Sequence, residues 1–253
     1  MKREIVKLIN EKGVLIKISG GALATKLSAP YAEENVKHIV NEICMAYEAM
    51  ENPKIAVVVG GGNIWRGYYG KCFGIKAASS DEIGIYATIT NALLISKEIA
   101  QRLGEDKVRL MLTRTAVPTE VYNREEAIKA LSKGKVVILG GGIGEPFVST
   151  DFAAVSRAAA LELGMVLMAK DGVNGVYNRD PNKEKARKYA TLNYNDFIVN
   201  QLKVADILAV QMAKDTQLPL FFFDFSLENA LKQIIEGKAC GTLVSDVETS
   251  FEE

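Results

Sequence analysis

The sequence predicts a doubly wound α/β fold: three layers, α/β/α, around a mostly parallel central sheet. Two observations carry this. Short runs such as "IAVVV" and "VVIL" are continuously apolar instead of alternating, which suits strands covered on both faces. Amphipathic stretches separate these runs from end to end, and strand–helix alternation builds parallel sheets with crossover helices. No low-complexity linker or charge run divides the chain, so a single domain over 1–253 is expected.

The strands are expected at 14–18, 55–59, 108–112, 136–139, 165–168, 219–223 and 242–244. Between them, Val36, Ile39, Val40, Ile43 and Tyr47 recur at helical spacing, and Ile207, Val210 and Met212 do so less strictly. Asp81 is expected to open a helix running to about Leu103, and Ser226 to cap one ending near Gly237. The start, "MKREIVKLINEKG", alternates charge with apolar residues and has no core for a signal peptide. No window approaches the roughly 20 apolar residues of a membrane span. Cys44, Cys72 and Cys240 form neither a CxxC pair nor an even set, which points to a reducing, cytoplasmic compartment. Lys+Arg and Asp+Glu are 31 each, for zero net charge. A nucleic-acid or acidic-membrane surface is therefore not expected.

Two apolar runs end in three glycines, "KIAVVVGGGN" and "KVVILGGGIG". Open α/β sheets bind ligands beyond the carboxyl ends of their strands, and glycine lets backbone N–H groups approach an anion. Neither usual phosphate fingerprint fits. No lysine follows either cluster as a Walker loop requires, and the sixth position of GxGxxG is Trp65 or Glu145. His38 is the only histidine and lies mid-helix, read as satisfied or solvated, so the chemistry runs without imidazole. What remains is a set of polar groups at strand ends. Lys17 sits inside a buried strand, where it reaches an anion or a carboxylate, or else snorkels from an edge. Arg66 in "GGGNIWRG" forks onto phosphate or makes a surface salt bridge. Asp81 is an N-cap or an acceptor for sugar hydroxyls. Thr150 and Asp151 open a helix whose N-terminus favours an anion. Cations and backbone donors gathered around oxygens suit phosphoryl transfer, which asks little covalent help of a protein.

The segments "KISGGAL", "VVVGGGNIWRG", "DEIGIYAT", "GIGEPFVSTDFAA", "DGVNGVYNRDP" and "LKVADILA" stand in fixed order along the chain. In that order and spacing they resemble the bacterial UMP kinases of the amino-acid-kinase (carbamate-kinase-like) fold family. The resemblance implies transfer of the ATP γ-phosphate to UMP with Mg²⁺ carried by the nucleotide, on the way to UTP and CTP, by a cytoplasmic homohexamer. It implies no dedicated metal ligands in the protein. Catalytic roles fall on Lys17, Arg66 and Asp151. ATP would be held by Lys17, Ile18, Ser19, Gly20, Gly62, Arg66, Asp171, Tyr177 and Asp180. UMP would be held by Gly61, Asp81, Ile143, Gly144, Glu145, Pro146, Phe147, Val148, Ser149 and Thr150. Gly21 stands where the family commonly has Glu, and the segment 24–31 lacks the usual glycine-rich GTP-effector element, so GTP activation is not expected. Another small-molecule kinase on this fold, or a non-catalytic nucleotide- or oxyanion-binding module, remains an alternative reading at this point.

Overall fold

Every apolar run named above is a strand. The computed structural model describes residues 2–24, 29–114, 119–180, 185–238 and 240–252. The departure at 24–31 falls partly on 25–28, outside the described residues. The strands are β1 (Val14–Ile18), β2 (Ile55–Val59), β3 (Val108–Leu112), β4 (Glu120–Val121), β5 (Val136–Gly140), β6 (Met165–Lys170), β7 (Tyr189–Asn193), β8 (Leu220–Asp224), β9 (Thr242–Ser245) and β10 (Ser250–Phe251). The helices are α1 (Lys2–Lys12), α2 (Glu33–Ala49), α3 (Gly67–Cys72), α4 (Ala77–Leu103), α5 (Arg124–Ser132), α6 (Thr150–Ala160), α7 (Tyr194–Val199), α8 (Ile207–Asp215) and α9 (Ala230–Ile235).

The strands form one sheet in the order β10-β7-β9-β8-β6-β1-β2-β5-β3-β4. Pairing is parallel except between β8 and β9 and between β7 and β10. Strand alternation sends side chains to two cores. Ile16, Ile18, Val57, Val59, Ile138 and Leu167 face one core with α1, α2, α4 and α9. Leu15, Val58, Val137, Leu139, Val166 and Met168 face the other with α5, α6, α7 and α8. This is the three-layer arrangement the sequence predicts. Lys17 has the parity of Leu15, so its side chain leaves β1 on the α6 side. There α6 presents Ala153, Ala154 and Ala158 to the sheet, and such small side chains let a helix backbone come close.

Two boundaries differ from expectation. α4 begins at Ala77 after Lys76, so Asp81 is inside the helix and does not open it. The preceding Ala77 and Ala78 already support helix, and the Asp81 carboxylate turns away to a backbone N–H of another segment. Nor does Ser226 cap α9. It bonds Asp224 through its own N–H and hydroxyl, and Asn229, at φ 61°, precedes the helix. The N–H groups of Asn229 and Leu231 go instead to the Glu42 carboxylate on α2, at 2.6 and 3.0 Å. The cap comes from a residue 187 positions away. Strands β4, β7 and β10 have no apolar run to announce them; they lie toward the sheet's edges and exist through their pairing. The N-terminal charged stretch is helical, with Ile5 and Ile9 buried. His38 is satisfied: its Nε2–H donates to the Phe225 carbonyl at 2.6 Å, and the ring meets that of Phe225 edge-on.

Phe222 is fully buried between β6 and β9, stacked near Phe197. Truncation to alanine in such a core costs about 3–5 kcal/mol. Phe222→Ala is expected to lower the urea midpoint accordingly with the slope unchanged.

Candidate active site

The carboxyl ends of β1, β2, β5 and β6 converge on one edge of the sheet, and the polar residues singled out above gather there. Lys17 is 7% exposed, and its Nζ lies 2.6 Å from Oδ1 of Asp151 in the first turn of α6. The reading that Lys17 snorkels from an edge strand is excluded, because β1 lies between β2 and β6. Ser149 is the N-cap of α6, accepting from the Phe152 N–H at 3.0 Å. Asp151 is therefore freed from capping. Its Oδ2 accepts instead from the Asp206 N–H at 3.3 Å.

A second lysine, Lys170 at the end of β6, completes this group. Its Nζ donates to the Val204 carbonyl at 2.5 Å and lies 5.6 Å from the ring centre of Phe222. Burial pushes Lys170 down to about 8, against the pull of Asp151 and assisted by the repulsion of Lys17. For Asp151, burial favours the neutral acid. The charges of Lys17 and Lys170, with hydrogen bonds from Lys17 and the Asp206 backbone, outweigh it and hold the carboxyl below its ordinary value. Asp206 also caps α8 through the Leu208 N–H and accepts the Ser149 hydroxyl at 2.5 Å. The "LKVADILA" segment thus ties the starts of α6 and α8 together.

The two glycine turns flank the lysine. Gly20 packs on the first: a Cβ there would stand 2.5 Å from the Gly60 carbonyl and 2.6 Å from the Gly62 nitrogen, so only glycine fits. At Gly21 a Cβ would make only ordinary contacts, with Ser19 Oγ at 3.6 Å and Arg66 at 3.9 Å, so the fold does not require glycine there. Arg66 folds back over its own turn, Nε donating to the Gly62 carbonyl at 2.7 Å. In the second turn Gly141 has φ 89°, and a Cβ would collide with Thr113 Oγ1 at 2.0 Å. Thr113, Arg114 and Arg157 donate to the carbonyls of Gly141, Gly144 and Gly142.

Between the turns lies a cavity of about 380 Å³. Gly61, Asp81, Ile143, Glu145, Phe147, Val148, Ser149 and Thr150 line it, as does Gly62, while Gly144 and Pro146 do not. Asp81 Oδ2 accepts from the Phe147 N–H at 2.8 Å, and Phe147 stands 73% exposed at φ 64°. Thr150 adjoins Asp151, so the cavity abuts the Lys17 pair. A larger cavity, about 790 Å³, lies among Leu8, Leu131, Leu163 and Pro219 at the amino ends of the strands and contains none of these groups. Asp171, Tyr177 and Asp180 lie on the loop after β6 and do not line the cavity between the turns. Asp171 and Asp180 are exposed, and the Tyr177 hydroxyl donates to Asn174 at 2.6 Å. Ile18 is fully buried in the other core, and Ser19 precedes the turn at Gly20. Sequence reasoning passed over Lys170, Asp206, Thr88 and Asn91. The argument that marked Lys17, a cation in a buried strand, applies equally to Lys170.

A parallel α/β sheet whose strand ends gather two lysines, a helix N-terminus and two glycine turns defines a protein built around an anionic ligand. Residues 12–224 match the amino acid kinase family, and the chain belongs to that family. It is 38% identical over 232 residues to the uridylate kinase of Oenococcus oeni, covering 91% of this chain and 95% of that one. It is also 38% identical over 245 residues to the uridylate kinase of Frankia casuarinae, covering 95% and 92%. The crystal structure of UMP kinase from Bacillus anthracis superposes with a TM-score of 0.91 at 36% identity, covering 95% of this chain and 98% of that chain.

Loss of the Lys170 proton near pH 8 removes a cation from this edge. Because kcat/KM reports the free enzyme, its value for the nucleotide is expected to fall as pH rises through about 8. Lys170→Arg keeps its charge and should abolish that limb. A wild-type profile flat through this range would show that the charge is not used.

Proposed function

We propose that the protein is a UMP kinase, transferring the γ-phosphate of ATP to UMP to give UDP and ADP. One observation carries the mechanism: the buried Lys17–Asp151 pair stands where the cavity between the glycine turns meets the start of α6. The uridylate kinases and UMP kinase structure matched along nearly the whole chain support the choice of acceptor.

In this reading UMP occupies the cavity, its sugar toward Asp81 and its phosphate toward residues 143–150. ATP lies over Lys17, Ser19, Gly20, Gly62 and Arg66, with its base toward Asp171, Tyr177 and Asp180. The acceptor oxygen belongs to a phosphate whose second pKa is about 6. It is already ionised near neutral pH, so no general base is needed. Catalysis is then positioning and charge compensation. Lys17 neutralises the transferring phosphoryl, Asp151 holds Lys17 in place, Arg66 and Lys170 add positive charge, and the α6 N–H groups face the anion.

Among the described residues no group of three or more His, Cys, Asp or Glu side chains is placed to hold a metal, while Asp151 lies at the phosphate end. That donor set fits Mg²⁺ bound mainly by nucleotide oxygens, with Asp151 as the nearby carboxylate. Bound there, the ion would spread the charge of the phosphates. Service in UTP and CTP synthesis, a cytoplasmic setting and a homohexamer belong to the same proposal. Exposed Tyr68, Tyr69 and Phe73 on and beside α3 offer apolar surface for self-association. No helix among the described residues is long and apolar enough to cross a membrane.

A coupled assay with ATP, Mg²⁺ and each nucleoside monophosphate tests the acceptor; turnover of another monophosphate but not UMP overturns it. Lys17→Ala should lower kcat by about 10²-fold or more in a folded protein, since Lys170 still compensates Asp151. A wild-type rate would remove Lys17 from the mechanism. Asp81→Ala should raise KM for UMP far more than KM for ATP, and equal shifts would contradict its role.

A further inference from the structure

Helix α4 touches both glycine turns. A Cβ on Gly61 would press on Gly84, Ala87 and Thr88, at 2.9 to 3.0 Å. A Cβ on Gly140, at the end of β5, would press on Ala92 at 2.9 Å and Ile89 at 3.4 Å. Both turns therefore rest on the same two turns of one helix, and two of its polar side chains bind them. Asn91 is fully buried. Its amide donates to the Gly60 carbonyl and to Asn63 Oδ1, both at 2.7 Å. Its oxygen accepts from the Tyr31 hydroxyl at 2.8 Å and from Asn63 Nδ2 at 3.2 Å. All four of its hydrogen-bonding positions are filled. Thr88, 6% exposed, accepts from the Gly141 N–H at 3.0 Å and donates to the Ile85 carbonyl at 2.7 Å.

We infer that Thr88 and Asn91, one helical turn apart on the buried face of α4, are positioning residues that fix the separation of the two glycine turns. In this way they set the in-line geometry of the two phosphates. The inference rests on the proposed kinase reading. Thr88 also lines the cavity between the turns, but its hydroxyl is committed to the Gly141 N–H and the Ile85 carbonyl, and Asn91 does not line the cavity. Their effect falls on the chemical step, because each turn keeps its own binding groups while the distance between them changes.

The test compares Thr88→Val, Thr88→Ser and Asn91→Asp with wild type. Thr88→Val and Asn91→Asp are expected to lower kcat by about 10- to 100-fold, the usual cost of misplacing reactants by about an ångström. KM for UMP and ATP should move less than about threefold, as lost transition-state geometry without lost ground-state binding requires. Thr88→Ser, which keeps the hydroxyl, should restore kcat. A wild-type kcat in Thr88→Val or Asn91→Asp, or a loss in kcat shared by Thr88→Ser, overturns the inference. Amide exchange gives a readout independent of the acceptor. The Gly141 N–H should exchange about tenfold faster or more in Thr88→Val and stay protected in Thr88→Ser. Unchanged exchange in Thr88→Val overturns the inference even if UMP proves not to be the substrate. A wild type inactive on UMP with the expected exchange pattern counts against the acceptor alone.

Discussion

A lysine in the middle strand region of a parallel sheet is tolerated only with a compensating charge, and for Lys17 that charge is Asp151. The demand reaches beyond the pair. It fixes the start of α6 at the end of β1, and the alanine-rich face of α6 allows the approach. Ser149 must take over the capping of the helix so that Asp151 is left for the lysine. Asp206 must then satisfy Ser149 and offer its own N–H to Asp151. One buried ion pair thus organises the junction of β1, α6, β6 and α8, and the chemistry proposed for this edge uses what the pair already assembles.

The glycine turns add the second constraint. Gly20 leaves no room for a side chain against Gly60 and Gly62, so the first two strand ends close on each other backbone to backbone. The second turn is held from outside, by Thr113, Arg114 and Arg157 on its carbonyls and by Thr88 on the Gly141 amide. Backbone that would otherwise be free at a loop is held on both sides before a ligand arrives. For the phosphoryl transfer proposed here, driven by placement and charge, such pre-set backbone is an advantage.

Much of this was legible in the residues, and the misses have physical causes. Continuous apolar runs located β1, β2, β3, β5, β6, β8 and β9, because strands buried on both faces leave that mark. The cost of burying Lys17 pointed to a partner, and the Ser-Thr-Asp helix start supplied it. Strands β4, β7 and β10 were illegible because their stability lies in pairing and not in their own composition. The cap of α9 was misplaced because its donors bond Glu42, far away in sequence. Lys170 was missed because the expected strand stopped at Met168, two residues short of the end of β6, so the lysine did not read as a cation in a buried strand. Asn91 and Thr88 read as ordinary helix positions. Their burial and their partners come from the packing of α4 on both turns.

Lys17 and Lys170 both act on the Asp151 carboxylate, and burial works against the charged form of Lys170. In the proposed kinase reading, the phosphates of the bound nucleotides would add negative charge beside these two lysines. Occupancy and folding are coupled by mass action, and the gain grows with the logarithm of ligand concentration over its dissociation constant. If nucleotides bind at this edge as proposed, the chain would be firmest when saturated with them.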